Sequence, residues 1–424
     1  MPVPGAPPAA RVPLPERFVL STGLRVIAVP RAGLPQVAIR LIVPAGSAAD
    51  PADFPGTAAL TGAILTEGTD TCPADEMNRR LDRLGASLEV QVGHDFAEVD
   101  LVLLSETLER GLDLFGEILT SAAFPGRETE RIRAEMLDFL EARRDEPANL
   151  ADDSAAMALF GANHPYAQLT SGTPEGISSV PRDELIAFHA RHYRPSGSAL
   201  IVAGDFDLAV LASLLERALE GWAGIAPEIP YAADPPRAEA AGEYLRLPWE
   251  GAAQGEIRVC GLGMTRSSPD WIAGAVANHV LGGSTITGRL GANLREDKGW
   301  TYGVRCGFAG ALRRGGWAVE TAVDVAVADD AVAEIIGEIE RFSAETVPEI
   351  ELERARQSII LSLPRAFETP GRIVGRFATI EAYGLEQDYW ELLPGRVRAV
   401  TVDDVTRIAR AYFRIDELVR LAVG

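Results

Sequence analysis

The chain repeats itself, and the repeat fixes what it can fold into. Ile39-Arg40-Leu41 returns as Ile257-Arg258-Val259, 218 positions on. Pro125 with Glu130-Arg131 returns as Pro348 with Glu353-Arg354, at an offset of 223. Asp183-Glu184-Leu185 with Tyr193-Arg194 returns as Asp403-Asp404-Val405 with Phe413-Arg414, at an offset of 220. A near-constant offset over three separate blocks implies two homologous halves. The Pro-rich stretch from Ala226 to Pro236 interrupts the pattern between them and reads as a linker. The sequence thus divides into a Pro/Ala-rich extended segment (1–16), a first half (17–225), a linker (226–240) and a second half (241–424). A length of 424 residues accommodates that division.

Local patterning gives each half strands and helices. Arg17–Leu20, Ser21-Thr22-Gly23 and Leu24–Val29 read as a hairpin, and Val37–Val43 as a strand. A helix is expected over about Pro55–Thr66, paired strands over Leu88–Val92 and Ala97–Leu104, and helices over Leu108–Ala122 and Glu128–Arg144. In the second half, Val332, Ile335, Ile336, Ile339 and Phe342 form a helical core stripe, and Trp317–Val323 alternates as a strand. The fold class is α+β: two halves, each an antiparallel-rich sheet covered by helices.

The net charge of −21 argues against nucleic acid or an anionic membrane as partner. No run of apolar residues is long enough for a membrane span. The three cysteines are far apart and read as free thiols. The N-terminus lacks the apolar core of a signal peptide, so the expected compartment is cytoplasmic, or periplasmic if such a peptide has been removed. No Gly-x-Ser-x-Gly elbow is present, and no Cys–His pairing is suggested by spacing. His189 and His192 stand three apart near a helix end, without a third ligand in view; His164 lies in a His-Pro-Tyr turn and reads as structural. Gly282, Gly283 and Gly288 lack the lysine and hydroxyl of a phosphate loop and read as a turn of close backbone approach. Arg313-Arg314 before Gly315-Gly316 reads as a solvated hairpin tip.

A further set of segments runs in a characteristic order. It comprises Gly23-Leu24-Arg25-Val26, Ala45-Gly46-Ser47, Gly56 through Thr69, His164-Pro165-Tyr166 with Gly172-Thr173, His192-Tyr193-Arg194-Pro195 and Val202-Ala203-Gly204-Asp205. Leu281-Gly282-Gly283-Ser284, Arg289-Leu290 and Leu294 through Tyr302 complete it. In order and spacing the chain resembles the pitrilysin/insulinase-type zinc peptidases, and more closely their short-chain branch, which includes mitochondrial processing peptidase. The resemblance implies two similar halves enclosing half of a peptidase chamber, completed by a second chain.

It also implies where zinc should sit, and there the chain departs from the family. The inverted motif is His-x-x-Glu-His. Its two histidines fall on Ala59 and Ala63, its general base on Gly62 and the third ligand, a glutamate, on Phe139, with Asp138 and Glu141 nearby. A catalytic zinc needs three protein ligands and a proton acceptor. No metal or other cofactor is therefore expected in this chain. In some members of the branch the subunit without zinc contributes an arginine and a tyrosine, which fall here on Arg295 and Tyr302 within Leu-Arg-Glu-x-Lys-Gly-x-x-Tyr. Arg295 is expected near a helix end and Tyr302 at the start of the next strand. The implied function is that of the non-zinc subunit of a heteromeric zinc metalloendopeptidase. Its partner would be a homologous zinc-bearing subunit, and its substrate a peptide or unfolded protein. The rival readings are an inert scaffold of the respiratory-complex core type, a peptide-binding module, and an ordinary surface arginine with a packed tyrosine.

Overall fold

The computed structural model describes residues 11–231 and 233–424. Most of the 1–16 segment, together with Ala232 of the linker, therefore lies outside the described residues. The chain forms two compact units.

The first unit holds a six-stranded sheet. Its strands are β1 (Glu16–Val19), β2 (Arg25–Pro30), β3 (Gln36–Val43), β4 (Ser87–Val92), β5 (Ala97–Leu104) and β6 (Ala199–Gly204), in the order β1-β2-β6-β3-β5-β4. All neighbours are antiparallel except β2 and β6. The hairpin expected at the start is β1–β2, with Arg17 opposite Ile27. One face packs Val37, Ile39, Leu41, Val99, Leu101 and Leu103 against Leu112, Phe115 and Ile118 of the Leu108–Ser121 helix.

The second unit holds β7 (Tyr244–Leu247), β8 (Gln254–Leu262), β9 (Val304–Phe308), β10 (Gly316–Asp324) and β11 (Val419–Val423), in the order β7-β11-β8-β10-β9. Only β7 and β11 are parallel. This is the order β2-β6-β3-β5-β4 over again, so the duplication read from the offsets is a duplication of topology. The stripe expected on the second half lies on the Ala328–Ala344 helix, where Val332, Ile335, Ile339 and Phe342 are buried.

Each linear half lends a helix to the other unit. The Pro147–Phe160 helix belongs to the second unit and packs on β8 and β11. Its Ala155, Ala158 and Leu159 meet Cys260, Leu262 and Val419, and its Asp152 binds the buried Arg258 at 2.7 Å. The Pro370–Tyr383 helix belongs to the first unit and packs on β3 and β6, the counterparts of β8 and β11. Thr369 accepts from Arg372 N at its start, Pro370 occupies its first turn and Gly384, at φ 60°, ends it. Its Glu381 binds Arg17 and Arg25. The units are therefore not the linear segments 17–225 and 241–424: residues 142–168 go with the second sheet and 364–386 with the first.

Arg313 and Arg314 do lie in the β9–β10 connection, but they are not merely solvated. Arg313 pairs with Asp234, and Arg314 donates to the carbonyls of Gly263, Pro235 and Pro236, which holds the linker down.

Candidate functional site

The helix at the expected zinc position runs from Thr57 to Ile64. It begins after Gly56, whose φ of 101° favours glycine. Asp50 caps it, accepting the N–H groups of Gly56 at 2.6 Å and Ala58 at 2.7 Å. Burial outweighs these two donors and pushes the Asp50 carboxyl up to about 7.

Ala59 and Ala63, four apart, share a half-exposed face of this helix. Gly62 is enclosed. A Cβ placed there would lie 2.8 Å from Val92 Cγ2 and 3.1 Å from Val90 Cγ1, both on β4. The position of the missing general base is filled from outside by two valines. Phe139, on the Gly126–Arg143 helix, is 58% exposed. Asp138 and Glu141 are exposed as well, while Leu140 and, partly, Met136 and Leu137 pack with Leu60 and Ile64. Two methyl groups, a hydrogen and a phenyl ring offer no donor to zinc. Among the described residues no group of three His, Cys, Asp or Glu could hold a metal ion. The chain's own residues do not fit a zinc centre.

Beneath this helix lies the Arg182–His192 helix. His189 is pushed down to about 4, by burial first and then by Arg194. Its Nε2 lacks a hydrogen-bond partner, as do Tyr193 OH and Thr61 Oγ1. His192 stacks on Phe188 with ring centres 4.4 Å apart. Both histidines are packed, neutral side chains. His164 likewise sits between Phe160 and Tyr166, its Nδ1 accepting from Tyr166 N.

Arg295 and Tyr302 lie on a differently built segment of the second unit. Arg289–Gly291 starts as α-helix and widens into a π-helix over Ala292–Asp297. Lys298 N accordingly bonds back five residues to Asn293 O. Gly299, at φ 65°, then stops the helix: its N–H reaches Arg295 O, and Trp300 N reaches Leu294 O. Sequence patterning gave no sign of the wide turn, and such turns recur at functional sites. Its seating is polar. Asn293 Nδ2 donates to Glu334 and Glu338 at 2.9 Å each, and Lys298 Nζ pairs with Glu334 at 2.9 Å. The Arg295 side chain is 38% exposed, with Glu296 at 3.5 Å its nearest ionic neighbour.

Tyr302 is 92% exposed. It precedes β9, which opens at Val304 and not at Tyr302. Its neighbours are tethered: Thr301 Oγ1 and Gly303 N bond each other's residue, and Thr321 Oγ1 bonds Gly303 O. The ring therefore projects from a fixed point and is not packed. The helix stop ties Gly299 to Arg295 and Trp300 to Leu294, and the side chains of Arg295 and Tyr302 share no hydrogen bond. The glycine turn before them is built for close backbone approach: a Cβ at Gly291 would lie 2.1 Å from Thr285 O, and one at Gly288 3.0 Å from Gly282 Cα.

Known proteins agree with this reading of the fold. Residues 25–171 match the family model described as Insulinase (Peptidase family M16), and residues 179–359 match that described as Peptidase M16 inactive domain. An uncharacterized zinc protease of Mycobacterium leprae is 26% identical over 300 residues, 68% of this chain and 64% of that one. One of Mycobacterium bovis is 24% identical over 419 residues, 96% and 92% of the two chains. A crystal structure of a peptidase M16 inactive domain from Pseudomonas fluorescens superposes with a TM-score of 0.90 at 24% identity, covering 97% of this chain and 98% of that one. A chain of complex III2 from Candida albicans superposes with a TM-score of 0.81 at 18% identity, covering 96% and 95%. Fold and sequence together make the chain a member of the insulinase-type peptidase family M16.

Proposed function

We propose that this chain is the non-zinc subunit of a heteromeric zinc metalloendopeptidase, cytoplasmic in its expected setting. A homologous subunit with an intact His-x-x-Glu-His would hold the metal. This chain would bind an extended peptide or unfolded protein and support the reaction through Arg295 and Tyr302. The guanidinium offers fixed donors and a permanent charge, and the phenol a single donor. Aimed at a peptide carbonyl, they would hold it and stabilise the negative charge that develops on its oxygen. The observation that carries this reading is the contrast between the two sites. The zinc helix has lost every donor and is closed by Val90 and Val92, whereas Tyr302 stands 92% exposed on a tethered loop beside the turn that follows Arg295.

The test is peptidase activity on a long unfolded peptide, with this chain alone, the zinc-motif homologue from the same genome alone, and the two mixed. Activity confined to the mixture and abolished by a chelator is expected. Arg295→Ala or Tyr302→Phe should then lower kcat about 100-fold, the usual effect of removing one oxyanion donor, with co-elution of the subunits unchanged. Full turnover in both variants removes the catalytic role. A mixture that neither co-elutes nor gains activity favours the scaffold reading, to which the fold likeness to a complex III2 chain lends support.

A further inference from the structure

The first unit carries a second concavity, unrelated to the zinc helix. It is a groove of about 340 Å³ between the Ala74–Leu84 and Leu108–Ser121 helices. Leu84 and Leu114, both buried, contribute its apolar surface, and Arg80, Arg83 and Arg110 bring three guanidinium groups to it. Two carboxylates, Asp113 and Glu117, also line it. Each is already engaged. Asp113 pairs with Arg217 at 3.1 Å. Glu117 accepts from the hydroxyls of Thr69 and Thr71 and faces Arg80 at 3.5 Å. Glu76, on the same helix as Arg80 and Arg83, is shared by Arg79, Arg80 and Arg83. Of the three groove arginines, only Arg110 is left with no hydrogen bond or ion pair among the described residues.

The chain carries a net charge of −21, whereas the lining of this groove sets three arginines against two carboxylates. The charge of the remainder does not cancel this local excess, because at physiological salt charges further apart than about 8 Å are largely screened. An arginine with free donors over apolar side chains suits an oxyanion that carries a short apolar group. The guanidinium fork matches both carboxylate oxygens, and the hydrocarbon would lie along the arginine stems and the edges of Leu84 and Leu114 that line the groove.

We propose that this groove binds an organic carboxylate next to an apolar side chain, the chemistry found at the carboxyl end of a peptide. The site is independent of the function proposed above, since no residue of the zinc helix or of the Arg295 segment takes part. Binding to the full-length chain is measured by calorimetry with three probes: N-acetyl-leucine, N-acetyl-leucinamide and inorganic phosphate. The acid should bind at least about tenfold more tightly than the amide, the usual worth of a charged hydrogen bond. Arg110→Ala should abolish that difference and Arg83→Ala should reduce it. Arg127→Ala, a change to an exposed arginine outside the groove, should leave it intact. Equal affinity for acid and amide, or an Arg110→Ala variant that behaves like Arg127→Ala, would overturn the proposal. Phosphate binding as tight as that of N-acetyl-leucine would overturn the assignment to an apolar carboxylate.

Discussion

At the scale of single residues, Gly62 shows that the zinc helix is more than a site with its ligands deleted. A glycine inside a helix ordinarily costs about 1 kcal/mol relative to alanine. Here the alanine Cβ would lie 2.8 Å from Val92, and overpacking of that kind costs about 1–3 kcal/mol. Gly62→Ala should therefore lower the urea midpoint. Gly375→Ala, in the Pro370–Tyr383 helix with nothing within 4 Å of its Cβ, should raise it by about 1 kcal/mol of stability. A stabilising Gly62→Ala would mean that Val90 and Val92 can move aside. Two titrating groups near this helix act in opposite directions. His189, depressed to about 4, holds fewer protons folded than unfolded, so its contribution is lost as pH falls from about 6.5 to about 4. Asp50, raised to about 7, holds more protons folded than unfolded, so its contribution is lost as pH rises from about 4 to about 7. Denaturation of wild type, His189→Gln and Asp50→Asn across pH 4–7 separates them. The stability difference, wild type minus variant, should rise with pH for His189→Gln and fall with pH for Asp50→Asn. Parallel curves would assign the pH dependence to other groups.

At the scale of elements, strands and long helices were legible because burial imposes its period on sequence. Val37, Ile39, Leu41 and Val43 alternate into one core face, and the stripe on the Ala328–Ala344 helix repeats at helical spacing. That Ala59, Gly62, Ala63 and Phe139, the positions the resemblance assigns to zinc chemistry, carry no metal-binding group is plain from the residue types alone. What closes the site is not, because Val90 and Val92 come from a separate strand and nothing near Gly62 announces them. The π-helix under Arg295 was equally hidden. Its wide turn is held by Asn293 and Lys298 reaching Glu334 and Glu338, about forty residues on, and no local pattern records such a contact. Under the function proposed above, these bonds would position Arg295 without touching substrate. Asn293→Ala should therefore cost only about 1 kcal/mol of stability by denaturation, yet reduce kcat of the assembled peptidase more than it raises KM. A loss of stability with unchanged kinetics would make the Asn293 bonds purely structural.

At the scale of the whole molecule, duplication was visible in the offsets but exchange was not. Equivalent helices keep the same spacing whether each covers its own sheet or its twin's. The exchange has a consequence for folding. The face of β8 and β11 under the Pro147–Phe160 helix includes Cys260, Leu262, Val419, Leu421 and Val423. Baring about five such side chains costs about 1.5–3 kcal/mol each, a total comparable with the entire stability of a domain, about 5–15 kcal/mol. A chain broken after Pro230 leaves that helix on one fragment and its sheet on the other, and does the same in reverse to the Pro370–Tyr383 helix. Residues 1–230 and 231–424, expressed separately, should therefore be insoluble or lack a cooperative transition. Expressed together, they should co-purify and unfold as one cooperative complex, because each unit recovers the helix supplied by the other fragment. A soluble 231–424 fragment with its own sharp transition would show that the second sheet does without the borrowed helix. In that case the exchange contributes little to folding, and the two halves are stable units after all.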